Sequence, residues 1–381
     1  MQKQLPILFF FGFILLLFNQ QAFAQGCVSV RSTGCSSQNM NSTLSKGQVE
    51  FTSNFRYFNS FRHFVGDVEQ HERIEEKSNV IIKSYTYDFG LNYGLSSRSF
   101  IGFSIPFVVN DRSSVHYTDD NDVQQRYSVQ GRGLSDIRAT GYYWVLDPNK
   151  RKKVSLLAGL GVKLPTGNPS QFDLFHAKSS KGKDSTYIRT VDQAVQPGDG
   201  GFGISLESQL NYRIVSGLSF YASGYYLFSP QETSNHLRTV PLTADTIQRY
   251  LSITDQYLAR AGFSYALPTK TPIMVGLGSR LEGVPVHDAV GGSNGRRRPG
   301  YTITVEPTLA FSINNTRLSI SVPYSIYRKR TRSVYDLSRG NNADGTPVNG
   351  DAAFADYSIN VSFVYLLGGN KSDHSMEAPS K

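Results

Sequence analysis

Beyond its first eighteen residues this 381-residue chain lacks any apolar run long enough to cross a bilayer as a helix. The one continuous run, Ile7–Phe18, has twelve residues, against the roughly 20 that a spanning helix needs. It follows a single cation, Lys3, and leads to the small–x–small sequence Ala22-Phe23-Ala24. That is the form of a secretory signal cleaved after Ala24, so residues 1–24 are set aside from the fold. Cysteine is nearly absent, with only Cys27 and Cys35, both just past the cleavage site. They allow one disulfide closing a small loop in an oxidising compartment, which is the expectation here. A lipid anchor on Cys27 competes, but Ala24-Gln25-Gly26 lacks the leucine that a lipoprotein cleavage box carries three residues before its cysteine.

Metal-binding patterns are lacking too. The acidic stretches Asp119-Asp120-Asn121-Asp122 and Asn342–Asp351 have neither the regular spacing nor the final glutamate of a calcium loop. No metal and no cofactor is expected. All seven histidines fall in segments read as loops or tail, which leaves no histidine for a catalytic face. Ser293-Asn294-Gly295-Arg296 resembles the serine segment of outer-membrane phospholipase A, where the base lies two residues before the serine. Here that place is Gly291, and the nearest upstream histidine is His287. Without a base within hydrogen-bonding reach Ser293 is not an activated nucleophile, and no enzyme is expected.

What the chain does have is alternation. In Phe202–Ile214, Phe202, Ile204, Leu206, Leu210, Tyr212 and Ile214 point one way and Ser205, Glu207, Gln209, Asn211 and Arg213 the other. A strand separates these sets because its side-chain period is two, whereas a helix would mix them. Eleven other segments do the same: Gln48–Phe58, Ile81–Tyr93, Ile101–Phe107, Ser135–Leu146, Val154–Leu164, Leu218–Phe228, Gln256–Leu267, Ile273–Glu282, Tyr301–Ile313, Leu318–Tyr327 and Tyr357–Leu367. Five tight turns alternate with six long polar loops, the longest being Pro165–Gly201.

A chain that lies in a membrane without a spanning helix must satisfy its backbone in a closed barrel. Even strand number, short turns on one side and long loops on the other define the outer-membrane type. The expected fold is therefore all-β, an antiparallel transmembrane β-barrel of about twelve strands over residues 47–367. A polar segment, 25–46, precedes it as a free end or small plug, and a polar tail, 368–381, follows. Pro106, Pro307 and Pro323 fall inside strands, where each removes a ladder hydrogen bond, so bulges or ladder ends are expected there.

The inward set includes Asp88, Asp136, Arg138, Lys163, Glu207, Arg213, Arg260, Arg280, Glu282 and Glu306. Isolated charges in a narrow lumen are costly, so these must be paired or hydrated. Twelve strands lie between barrels filled by side chains and open porins. The charges form either an ion-pair ladder that holds the wall or a constriction that selects solutes.

Removing Lys3 with the signal lowers the formal charge from +9 to +8. The basic clusters are Lys150-Arg151-Lys152-Lys153 in a turn, and Arg296-Arg297-Arg298 and Arg328–Arg332 in outer loops. The loop cations are read as solvated charge, or as holders of lipopolysaccharide phosphates or anionic solutes. Export removes the chain from nucleic acid.

Several segments look like the outer-membrane barrel family of transporters of the phenol meta-cleavage pathway. They are Tyr93-Gly94-Leu95 with Ile105-Pro106, Gly133-Leu134-Ser135-Asp136-Ile137, Gly161-Val162-Lys163-Leu164-Pro165-Thr166-Gly167, and the restart Pro197–Gly203. The resemblance covers roughly residues 85–325 and implies passage of small, often hydrophobic or aromatic, compounds through the bacterial outer membrane. Its motifs are turn and strand-end signals, so it carries over no substrate-contacting residue. The expectation is a monomeric channel or transporter in contact with outer-membrane lipid and lipopolysaccharide and with a small-molecule solute. The alternative is a non-transporting adhesion or scaffold barrel acting through its loops.

Overall fold

The computed structural model describes residues 44–147, 149–150, 153–237 and 245–367. The signal segment, Cys27, Cys35 and the tail 368–381 lie outside them. Twelve antiparallel strands form one closed barrel. They are β1 (Val49–Val65), β2 (Ile81–Gly94), β3 (Ser99–Thr118), β4 (Arg138–Leu146), β5 (Val154–Lys163), β6 (Gly203–Val215), β7 (Leu218–Phe228), β8 (Gln256–Leu267), β9 (Ile273–Val284), β10 (Gly300–Ile313), β11 (Thr316–Ser321 with Tyr324–Arg330) and β12 (Asp351–Leu367). Each pairs with its sequence neighbours, and β1 closes on β12 with Phe51 opposite Tyr365.

Alternation decides which face is which. On β2, Tyr87, Phe89, Leu91 and Tyr93 are exposed on the outer wall while Asp88 and Asn92 are buried inside. On β3, Phe103, Ile105 and Phe107 face out and Phe100 and Val108 face in. An exposed aromatic and aliphatic wall costs free energy in water and nothing against lipid, which is the barrel's solvent. Both ends of the barrel lie on the side of the tight turns, so the long loops share the other, outer side.

Several segments read as loops contain strands. β3 runs on to Thr118 and returns as Gln124–Leu134. The 165–201 segment carries the hairpin Phe172–Lys178 with Asp184–Thr190, and Thr233–Leu237 pairs with Tyr250–Ser252. β1 and β12 also run further outward than expected, which places His63 on a strand rather than a loop, and His116 and His176 likewise. Gln124–Leu134 and the paired segments within the two longest loops rise above the lipid, where nothing demands an apolar outer face, so the alternation that marks the membrane strands does not announce them.

The three strand prolines sit where pairing stops. Pro106 is at the point where β3 leaves β4 and takes Gln124–Leu134 as partner, beside the unladdered Ser135–Ile137. Pro323 interrupts β11, and Pro307 of β10 lies opposite that interruption. At the turn end, Leu44 enters the lumen and packs with Phe100, Tyr142, Trp144, Leu157 and Leu366 in an apolar floor.

Candidate functional site

The inward charges gather in two groups that face each other. The first joins Arg56 of β1, Arg260 of β8, Arg280 and Glu282 of β9, and Glu306 of β10. Arg56 Nη2 lies 2.7 Å from Glu282 Oε1, and β1 and β9 are four strands apart, so this pair crosses a chord of the lumen. Arg280 also pairs with Glu282. Glu306 lies 3.5 Å from Arg260 and 4.0 Å from Arg280, and accepts from Ser321 Oγ at 2.9 Å.

The second group lines β2 and β4–β7. Arg138 Nη1 donates to Tyr225 Oη at 2.8 Å, with its guanidinium 5.5 Å from the centre of that ring. Glu207 accepts from Tyr142 Oη at 2.8 Å, and Asp88 accepts from Ser104 Oγ at 2.7 Å. Lys163 holds Asp199 at 2.5 Å and Asp136 at 3.7 Å, which ties the 165–201 segment to the wall. Asp136 is buried but sits in the unladdered step before β4, not on the strand expected to carry it. Arg213 faces inward by alternation near the tight turns and is half-buried, outside both groups.

Formally, the first group holds three cations against two carboxylates and the second two cations against four. A field therefore runs across the lumen rather than along it. Arg280 is 1% exposed and Glu306 0%, so at this level the lumen is filled by its own side chains. Sequence reasoning missed Arg56, Asp199 and Tyr225. Arg56 was legible, since it alternates with the outward Phe55 and Tyr57. Asp199 was not, because it lies on a loop without period.

A strap closes the outer mouth. Val191 and Val195 pack with Ile82 of β2 and with Val129, and Asn110 of β3 donates to Val195 O at 3.3 Å. On the opposite side Asp192 is bidentate with Arg298, at 2.6 and 2.7 Å, and Gln193 donates to Ser252 O at 2.8 Å. Burial works against charge on Asp192, but Arg298 outweighs it and holds the carboxyl well below the usual carboxylate range. A Cβ on Gly131 would meet Val195 O at 1.9 Å. Gly131→Ala is thus expected to push the strap off the wall at a cost of about 1–3 kcal/mol. Faster protease cleavage within 191–196 would show it, and unchanged cleavage would count against a seated strap.

The outer cations are not the solvated charges that their sequence clusters suggested. Arg297 pairs with Asp288 at 2.6 Å with both side chains fully buried, Arg298 with Asp192, and Arg330 with Asp336 at 3.1 Å. The reason is folding: Asp192 comes from another loop, and Asp288 and Asp336 lie nine and six residues along the same loops as their arginines, outside the basic clusters.

One seam in the wall lacks a ladder. Above Tyr324 opposite Tyr357, Ser325–Arg330 pairs with β10 but not with β12, whose Asp351–Ser358 keeps its pairing with β1 on the other edge. Side chains bridge it: Arg328 donates to Ala355 O at 3.1 Å and pairs with Asp356, which Arg62 also holds at 2.8 Å. The seam closes again where Arg330 N donates to Gly66 O at 2.6 Å.

No protein-family model matches the chain, and no curated protein matches it in sequence. Among solved structures it is similar to the COG4313 outer membrane channel from Pseudomonas putida F1, at 13% identity and TM-score 0.52, over 86% of this chain and 98% of that one. It is more distantly similar to a Pseudomonas aeruginosa FadL homologue, at 9% identity and TM-score 0.44, over 90% of this chain and 99% of that one. The translocator domain of the autotransporter NalP from Neisseria meningitidis is also distantly similar, at 11% identity and TM-score 0.44, over 84% and 89%. The first likeness supports the fold, a closed antiparallel barrel of the outer-membrane type.

Proposed function

We propose that this barrel is a bacterial outer-membrane channel for small hydrophobic compounds, which enter at the outer mouth and leave sideways through the wall. The observation that carries it is the pairing of a filled, charged mid-lumen with an unladdered seam at Pro323. An apolar solute gains nothing by displacing the ion pairs of Arg280, Glu282 and Glu306, because their separation in a low-dielectric interior is costly. Parting the seam breaks the side-chain bridges at Arg328, the bond from Arg330 N to Gly66 O and that from Tyr327 Oη to Asp67, and it opens beside Tyr324, Ile326 and Tyr357, exposed on the outer wall. The P. putida protein is described as an outer membrane channel, which agrees with this reading. The narrower role in a phenol meta-cleavage pathway rests on the sequence resemblance alone, with aromatic compounds as the solutes to try first.

The test is to lock the seam. Ile326→Cys with Ala355→Cys, two residue pairs beyond Tyr324–Tyr357, is oxidised in the folded protein. Uptake of a fluorescent aromatic hydrocarbon into vesicles should fall about tenfold, recover on reduction, and leave ion conductance unchanged. Uptake indifferent to the lock, but altered by Arg280→Gln or Glu207→Gln, would mean that the solute crosses the lumen.

A further inference from the structure

The wall above β4 and β5 does not end at the lipid boundary. Gln124–Leu134 continues it upward, and the 165–173 segment runs beside it, with Gln171 Oε1 accepting from Arg132 N and Asp173 Oδ2 from Gln130 N. The hairpin of Phe172–Lys178 with Asp184–Thr190 follows as the next layer. One of its faces packs into the mouth, where Phe175 joins the cluster of Val129 and Val195 and stacks on His116, with ring centres 5.4 Å apart.

The opposite face is apolar and uncovered. Leu174 is 46% exposed, Ile188 directly opposite it 73%, Phe172 58% and Leu134 40%. Leu134 pairs with Phe107, which ends the lipid-facing run Phe103, Ile105, Phe107. Arg132 stands one step further out on the same face and is exposed, and an exposed cation marks the edge of the hydrocarbon. From Leu134 to the level of Asp173, beside Gln130, is four residues, about 13 Å along the strand. Leu174 and Ile188 therefore stand beyond the reach of acyl chains, in water unless protein covers them. A contiguous apolar patch in that position marks a protein contact.

We propose that this face joins two copies of the chain side by side in the outer membrane. Two copies inserted in one membrane share depth and orientation, so their two-fold axis runs along the membrane normal. Each level of the wall then meets its own level, which brings the two apolar patches together. Within the lipid, apolar side chains gain little by exchanging lipid for one another. Above it they gain by leaving water. The patch thus drives the association, and the lipid-facing wall beneath it extends the contact.

Charge fixes the register. On the outer face of β3, Asp111 stands opposite Gln130, one step outward of Arg132, which stands opposite Val109. Asp111 accepts from Ser128 Oγ at 3.1 Å, and neither it nor Arg132 makes an ion pair among the described residues. Across the two-fold axis Arg132 meets Asp111 of the partner subunit, and symmetry repeats the pair. Strands β12, β1 and β2 separate the patch from the seam, so each copy keeps its exit to lipid.

The mature protein, carrying a donor or an acceptor dye at its C-terminus, is mixed in phosphatidylcholine vesicles, and energy transfer is followed as lipid is added. A dimer that dissociates on dilution is expected. Leu174→Ser with Ile188→Ser, and separately Arg132→Glu, should each weaken it about tenfold, and Arg132→Glu with Asp111→Arg should restore it. Retained heat-modifiable gel mobility of the barrel shows that the variants fold. A monomer at every dilution overturns the proposal and leaves the patch to a different protein. So does a dimer that survives the paired serine substitutions, or one that the charge swap fails to restore.

Discussion

Arg280→Ala should cost the folded barrel about 3–5 kcal/mol, the range for removing one partner from a buried ion pair. Arg280 is 1% exposed and stands between Glu282 and Glu306, which is 0% exposed. Removing it leaves Arg56 and Arg260 to serve both carboxylates, with a vacated volume in the middle of the lumen. The penalty is mostly that of leaving negative charge in a low-dielectric interior, so a second change should recover part of it. Arg280→Ala with Glu282→Gln is expected to cost clearly less than the sum of the single variants, since residues of one network couple. Urea unfolding followed by tryptophan fluorescence measures this cleanly, because the chain has one tryptophan, Trp144, buried in the apolar floor. A loss below about 1 kcal/mol would show that water reaches these charges and that the lumen is open at their level.

Arg298→Gln should open the outer mouth. It breaks the bidentate bond to Asp192 and leaves that carboxylate buried under a strap otherwise held there by Gln193. A loss of about 2 kcal/mol would raise the population of the lifted strap about thirtyfold. Single-channel recordings should show longer and larger openings, and hydrophobic uptake should quicken with the seam untouched. The pH dependence has a definite sign. The Asp192 carboxyl titrates well below its ordinary value, so the latch contributes fully above about pH 4 and weakens only as the pH falls towards the lowered value. Wild-type opening should be flat from pH 7 to 5 and rise only in strong acid. A rise between pH 7 and 5 that persists in Arg298→Gln would place the gate elsewhere.

How much of this was legible differs by feature. Alternation in segments such as Phe202–Ile214 announced both the barrel and the direction of its side chains, because lipid outside and a closed space inside impose opposite demands on successive residues. The same rule put Arg138, Lys163, Glu207, Arg260, Arg280, Glu282 and Glu306 on the inner face. It failed above the membrane, at Gln124–Leu134 and Phe172–Thr190, where the outer demand disappears. The strand prolines marked ladder ends, since a missing N–H is a local fact, but not that Pro323 opens a seam while Pro106 only redirects a strand. That distinction depends on whether another strand fills the ladder beyond the proline: Gln124–Leu134 does so for β3, and no described strand does so between β11 and β12.

The sequence by itself determined the period, the number of strands and the sign of each face, all set by interactions within a few residues. Tertiary structure alone decided the partners. Arg56 meets Glu282 226 residues away and Asp192 meets Arg298 106 residues away, because closing the sheet brings distant strands across one narrow lumen. Which charge neutralises which is fixed by strand order and register around the ring, and no local pattern records it.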